Sequence, residues 1–347
     1  MKGKLLSILI AVLLSAIVFS GCFEENKKPL RVGTEAIYVD DSGGKDYTTI
    51  QDAINNATDG DIIYVLAGTY ELNRQFAINK SISLMGNGSA DTFIVGDFEV
   101  VTINANLTNI SGFTIRSNMP YISGIHGIIG IQLIDAHNCR IENNKILTSN
   151  HFNISSYGIS FQSSSNNTIV NNMISTNVGP GIFLYYNCDN NKIYNNNFIN
   201  NSPNAKDYTN NIWDNGKYGN YWDDYNGTDE DDDGIGDTPY SISGGNNQDL
   251  YPLMNPLITS TKEIEEYIGQ KVTVIGTLEC NPDPPNRFGK FVPGLIFNDG
   301  TEIGFTAEVP YCDEYQDKEI ELTCEVYQCG LEDSCEGIFL TDIELIE

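Results

Sequence analysis

The sequence predicts an all-β protein: a right-handed parallel β-helix with an N-terminal capping helix, followed by a small five-stranded OB-like barrel. Three observations carry that expectation. A phrase of Ile, any residue, two small or Asn positions, any residue, then Ile or Phe recurs at Ile110–Ile115, Ile141–Ile146, Ile169–Ile174 and Ile193–Phe198. Its starts lie 31, 28 and 24 residues apart, and self-similarity at that period marks stacked units that cannot bury an apolar face alone. A second phrase precedes the last three copies: Gly130-Ile131-Gln132-Leu133, Gly158-Ile159-Ser160-Phe161 and Gly181-Ile182-Phe183-Leu184. Finally, the Asn-rich style ends near Pro256, where short alternating strands take over.

Taken in order, residues 1–21 have the form of a lipoprotein-type signal peptide. Lys2 and Lys4 precede an apolar stretch from Leu5 to Phe19, and Ser20-Gly21-Cys22 makes Cys22 the candidate lipidated residue. Phe19 departs from the usual small aliphatic residue, and without cleavage the same stretch would serve as an N-terminal anchor. Either way the remainder is expected outside the cytoplasm, on a polar tether over residues 22–36. The β-helix is expected over residues 37–202. At its start, Thr48 and Gln51 read as a capping box before a short helix with Ile50, Ala53 and Ile54 on its apolar face. Asp59-Gly60 then turns the chain into the strand Ile62–Val65. Within each coil the Ile and Leu positions should stack inside while Asn and Gly take the bends. Asn side chains at equivalent bends can bond the backbone of the next coil, which predicts an internal ladder.

Residues 203–255 hold Trp213, Tyr218, Tyr221, Trp222, Tyr225, Tyr240 and Tyr251, read as an aromatic cap on the last coil rather than a sugar-stacking surface. Residues 256–347 offer strands at Val272–Ile275, Leu295–Phe297, Ile303–Phe305, Ile320–Leu322 and Ile343–Leu345, with Asn298-Asp299-Gly300 as a hairpin turn.

Charge narrows the function. Without Lys2 and Lys4 the chain carries 17 basic against 47 acidic residues, which disfavours nucleic acid and anionic lipid and favours cations. Residues 261–347 alone hold 5 basic and 20 acidic residues, so the barrel lacks the basic groove that nucleic-acid-binding OB folds need. Seven cysteines follow Cys22, in keeping with an oxidising compartment. Cys139 and Cys188, two coils apart, are expected as buried thiols, whereas Cys329 and Cys335 flank a short loop and could pair.

The stretch from Asp46-Tyr47-Thr48-Thr49-Ile50-Gln51-Asp52-Ala53-Ile54 to Ala67-Gly68-Thr69-Tyr70 resembles the start of pectin-lyase-like β-helix proteins, pectin methylesterases in particular. The coils that follow resemble the NosD-type family, and Gly219–Tyr225 with Tyr251–Met254 is similar to the closing segment of archaeal surface members. That resemblance implies the fold over residues 37–255 and says little of activity. It also brings copper into view, because the namesake assists copper-site assembly in nitrous oxide reductase. Copper favours His, Met and thiolate donors, and His126, His137 and His151 are the only histidines, with no Met cluster.

The strongest chemical constellation is Asp229-Glu230-Asp231-Asp232-Asp233-Gly234-Ile235-Gly236-Asp237. Carboxylates at alternate positions before a Gly turn can converge on calcium, with Asp229, Asp231 and Asp233, the Ile235 carbonyl and Asp237 as candidate ligands. Tyr240 stands where an EF-hand has its bidentate acid. Catalytic phrases of the esterases and polygalacturonases are missing; Arg140, Glu142, Lys145, Asp189 and Lys192 fit a lyase by residue type and equally fit solvent-facing coil positions. The expectation is therefore a membrane-anchored, extracytoplasmic, non-catalytic binding or structural module. Its expected partner is polysaccharide or a cell-surface protein, and it is stabilised by calcium. A carbohydrate-active enzyme and a copper-accessory protein are the alternatives, and aromatics or acids gathered on a coil face would favour the former.

Overall fold

Three parallel sheets wind around one apolar core. In stacking order, the first contains Ala36–Val39, Ile62–Val65, Ser83–Gly86, Asn109–Ser111, Arg140–Glu142, Thr168–Val170 and Lys192–Tyr194. The second contains Gly68–Glu71, Thr92–Gly96, Thr114–Ser117, Lys145–Leu147, Met173–Ser175, Asn197–Ile199 and Tyr221–Trp222. The third contains Phe76–Ile78, Glu99–Ile103, Ile128–Ile134, Ser156–Gln162, Ile182–Leu184 and Ala205–Asp207. This computed structural model describes residues 36–72, 76–117, 127–148, 156–175, 177–259, 264, 266–279, 294–297, 302–305, 319–329 and 337–345. Met1–Glu35 is a separate unit outside those residues, as are Cys22, Cys335 and the side chain of Cys329.

The repeat phrases set the register. Ile110, Ile141, Ile169 and Ile193 align coil on coil, as do Ile115, Ile146, Ile174 and Phe198. All eight side chains are fully buried. The Gly that opens the second phrase has a steric origin. A Cβ on Gly158 would lie 2.5 Å from the Gly181 carbonyl oxygen, and one on Gly181 would lie 2.6 Å from that of Asn204. The coils of the third sheet approach too closely there for any side chain.

Asn ladders hold the bends. Asn144 donates both its backbone N–H and its amide to Asn172 Oδ1, Asn172 likewise to Asn196, and Asn196 to Asn220, all at 2.9–3.2 Å. Asn167, Asn191 and Asn211 repeat the arrangement at a second bend, and Asn177, Asn201 and Asn204 form a third, looser chain. Each ladder points one way, so its last amide needs an acceptor. Asp249 receives Asn220, Asp207 receives Asn211, and Asp223 with Asp224 receive Asn204. A carboxylate accepts without donating, and so terminates a chain of amides that cannot end on itself.

Both ends of the core are covered. At the start, helix α1 (Ile50–Asn56) lays Ile50, Ala53 and Ile54 on the core. Its cap differs from the expectation by one residue: Thr49, in extended backbone, accepts from Asp52 N–H at 3.2 Å and donates to the Asp52 carboxylate at 2.7 Å. Asp52 thus takes the place expected of Gln51, whose amide reaches Asn55 instead. At the far end Phe198, Trp222 and Tyr240 stack with centroids 4.3 and 4.2 Å apart, and Trp213 is wholly buried beside them.

A second apolar core follows. Glu302–Gly304, Gly294–Ile296, Lys271–Glu279, Glu319–Cys329 and Gly337–Leu345 form an antiparallel sheet in that order, and a bridge between Phe305 and Leu340 brings its outer strands together. Leu257–Ile258 pairs with Thr273–Val274. The Asn197 side chain bonds both the carbonyl and the N–H of Leu257, at 2.7 and 2.8 Å. Met173 packs on this core and Lys145 pairs with Glu266. The C-terminal sheet therefore sits on the outer face of the second coil sheet.

Candidate functional site

The acidic loop is built by its own carboxylates. Asp229 accepts from the N–H of Asp233 at 3.1 Å and of Gly234 at 2.9 Å, which curls the chain around it. Asp232 (φ 60°) and Gly234 (φ 80°) adopt the left-handed backbone that such a curl requires. Ile235 donates to Asp233 Oδ1 and bridges Leu253, while Gly236 and Met254 bond across to Pro252 and Gly234. Carboxylate oxygens of Asp229, Asp231 and Asp233 come within 4.8 Å of one another. Asp237 stands apart from that group and closes the loop base, accepting from the Glu230 N–H at 2.8 Å. Burial pushes the Asp233 carboxyl up, and the charges of Asp231, Asp229 and Asp237 add to the shift against the Ile235 N–H bond. These three oxygens lie close enough together to repel one another. Sequence reasoning missed the support: Tyr225 fills the space against Gly227 and Gly236, and its hydroxyl donates to the Thr238 carbonyl at 2.7 Å.

A second candidate lies on the outer face of the third sheet. Tyr157, Phe183, Tyr185 and Tyr208 make one contiguous cluster. Phe183 stacks on Tyr157 at 5.2 Å and on Tyr185 at 5.8 Å, and Tyr208 meets both Phe183 and Tyr185 edge-on. Tyr185, Tyr186 and Tyr208 remain 62%, 61% and 47% exposed. The cluster is an apolar patch of rings on an outward sheet face. The signal was readable: in the Gly-Ile-x-Phe/Leu phrase the outward x is Gln132, then Ser160, then Phe183.

Asp223 and Asp224 meet over Asn204, with the Tyr240 hydroxyl donating to Asp224 at 2.9 Å; the candidate coil-face groups are spread apart. Arg140 and Glu142 pair with each other, Lys145 reaches Glu266, and Asp189 holds Asn210. His126 and His151 lie outside the described residues; His137 Nδ1 accepts from the Ser165 N–H at 3.1 Å. Cys139, Cys188 and Cys324 are buried free thiols that burial pushes up in pKa. Among the described residues the only gathered set of three or more His, Cys, Asp or Glu ligands is Asp229, Asp231 and Asp233. An all-carboxylate set does not fit copper, which takes imidazole and sulfur donors.

The chain is similar in part to several known proteins. A cell surface glycoprotein of Methanothermus fervidus is 38% identical over 107 residues, which is 29% of this chain and only 16% of that relative's length. Pectin methylesterase from carrot overlaps 51% of this chain and 57% of its own, at 18% identity and a TM-score of 0.36. An alginate lyase from Paenibacillus overlaps 50% and 60%, at 20% identity and 0.37. Likeness at that level carries no argument about activity. The family described as "Periplasmic copper-binding protein (NosD)" matches residues 23–227, more than half of the sequence, and this chain belongs to the NosD family.

Proposed function

We propose that this chain is a non-catalytic, extracytoplasmic cell-surface module that binds polysaccharide on the third-sheet aromatic face, held to the membrane through Cys22 and stiffened by calcium at Asp229, Asp231 and Asp233. The observation that carries the reading is the cluster of Tyr157, Phe183, Tyr185 and Tyr208. Ring faces bury the C–H surfaces of sugars while phenolic hydroxyls bond their polar edges. Aromatics on a coil face also suit a carbohydrate-active enzyme, most of which use a pair of acids flanking the scissile bond, and the release assay below separates the two readings. The cell-surface setting is supported by the Methanothermus relative and by the periplasmic description of the family. The copper in that description has no matching donor set among the described residues, and no step is drawn through it.

The test is incubation of the soluble ectodomain with a panel of insoluble polysaccharides, scoring retention and released oligosaccharides together. Retention without release is expected, and release of shortened chains would replace this reading with an enzymatic one. Mass spectrometry of the mature N-terminus tests the anchor, which requires a chain beginning at lipidated Cys22.

A further inference from the structure

We infer that the aromatic face takes a neutral hexopyranose chain laid along the coil axis and rejects polyuronates, an inference that rests on the glycan-binding reading above. The rings come from successive coils: Tyr157 from Ser156–Gln162, Phe183 and the adjoining Tyr185 from Ile182–Leu184, and Tyr208 from the turn after Ala205–Asp207. Phe183 is in register with Ser160 on one side and Lys206 on the other. Neighbouring strands rise about 4.8 Å per coil, close to the length of one pyranose residue in an extended chain. A glycan running along the axis therefore meets one aromatic row per sugar, whereas one running across the strands would leave the rows after a single residue.

Charge selects the class. The Tyr157 register continues through Ile129 to Glu99, so the track leads toward an acid. At the other margin Asp189, three residues past Tyr186, holds Asn210, two residues past Tyr208. Next to Tyr208 in sequence, Asp207 is fully buried and bonded to Thr209, Asn211 and Trp213. Against these stands Lys206, whose ammonium lies 5.2 Å from the Tyr208 ring centroid and keeps its charge there, outnumbered by the acids. The whole chain carries a net charge of −28. A polyuronate brings one carboxylate per sugar within the roughly 8 Å over which charges act at physiological salt. A neutral chain has the same C–H faces and none of that repulsion.

Calorimetric titration of the full ectodomain tests this with two oligosaccharides of equal length, a neutral β-linked glucan or mannan and an oligogalacturonate, at low and high salt. The neutral chain is expected to bind with little salt dependence, and the oligogalacturonate more weakly, most of all at low salt. Tyr185→Ala with Tyr208→Ala should weaken the neutral chain roughly tenfold, about 1.4 kcal/mol by the standard conversion, with an unchanged melting temperature confirming that the coils are intact. Tighter oligogalacturonate binding that fades in high salt would overturn the neutral class and leave glycan binding standing. Failure of both oligosaccharides to bind, or neutral binding indifferent to the double substitution, would overturn the site itself.

Discussion

Asp249 Oδ2 accepts the indole N–H of Trp222 at 2.9 Å, and the same oxygen ends the longest Asn ladder by accepting from Asn220. Asp207 does the same for Trp213 at 3.1 Å and for Asn211. In each case one buried carboxylate accepts from the last Asn of a polar column, Asn220 chiefly through its backbone N–H and Asn211 through its side chain, and from the only polar atom of a tryptophan side chain closing the apolar core. Cap and column therefore depend on the same group.

Replacing Asp249 separates these roles. Asp249→Ala should leave the Trp222 indole and the Asn220 backbone N–H without acceptors, each costing about 1–3 kcal/mol, while the Asn220 side chain keeps the Ile193 and Trp213 carbonyls. Asp249→Asn keeps one oxygen acceptor but turns an NH₂ toward donors, and should cost less than Asp249→Ala. Urea unfolding measures both; an Ala variant as stable as the parent would remove Asp249 from the cap.

The pH dependence follows from the same site. Burial pushes the Asp249 carboxyl up from 3.8 to about 7, against the N–H bonds from Trp222, Asn220 and Tyr251. The folded chain thus keeps a proton that the unfolded chain has already released. This group's contribution favours folding below 3.8 and is lost as pH rises to about 7. At about 1.4 kcal/mol per unit the change is a few kcal/mol at most. Stability of the parent minus that of Asp249→Asn, measured between pH 4 and pH 8, should fall with rising pH; a flat difference would mean the carboxylate titrates normally.

Within the column, Asn172 serves four partners. It accepts from Asn144 and donates to Asn196, Ile141 and Val170. Asn172→Leu should cost several kcal/mol, because each stranded buried polar group costs about 1–3 kcal/mol. Lys192→Leu, on an exposed position of a neighbouring strand, should stay within about 0.5 kcal/mol. Equal unfolding midpoints for the two would argue against a structural role for the column.

Calcium should raise the melting temperature of the ectodomain relative to chelator, by the equivalent of about 2.7 kcal/mol at a hundredfold excess over the dissociation constant. Magnesium should do less, since it demands tighter octahedral geometry. Asp231→Asn with Asp233→Asn should remove the increment without melting the coils, because the loop lies outside the repeats. Melting curves that superimpose in calcium and chelator would reduce the loop to a solvated acidic turn.

The coil core was legible because its signal is periodic: every Ile of the repeated phrase is buried where the phrase places it. The Asn ladder was legible in outline, since paired Asn recurs in the last three copies of the phrase, but its ends were not. Asp207 and Asp249 sit outside the repeat, and nothing local marks one carboxylate among 47 acidic residues as buried. The helix cap slipped by one residue because Thr48 and Thr49 are both good caps, and the choice falls to the coil that Ile50 must reach. At the acidic loop, alternation brought Asp229, Asp231 and Asp233 together as read. Asp237 was drawn to the Glu230 backbone, a closure that spacing does not encode. The aromatic face was legible only in part: Phe183 takes the outward place held by Gln132 and Ser160, whereas Tyr157, Tyr185 and Tyr208 join it only when the coils stack.

A coil of this kind is a modular unit, and duplicating one would insert a further Asn into a column without disturbing its neighbours. That freedom stops at Asp207 and Asp249. A coil added beyond them would meet a carboxyl group that, once ionised, has no hydrogen to hand on, so lengthening the stack at that end calls for changing Asp to Asn at the same time. The difference between an amide and a carboxylate, a single heavy atom in the side chain, thus acts as a full stop that fixes how many turns the molecule can grow.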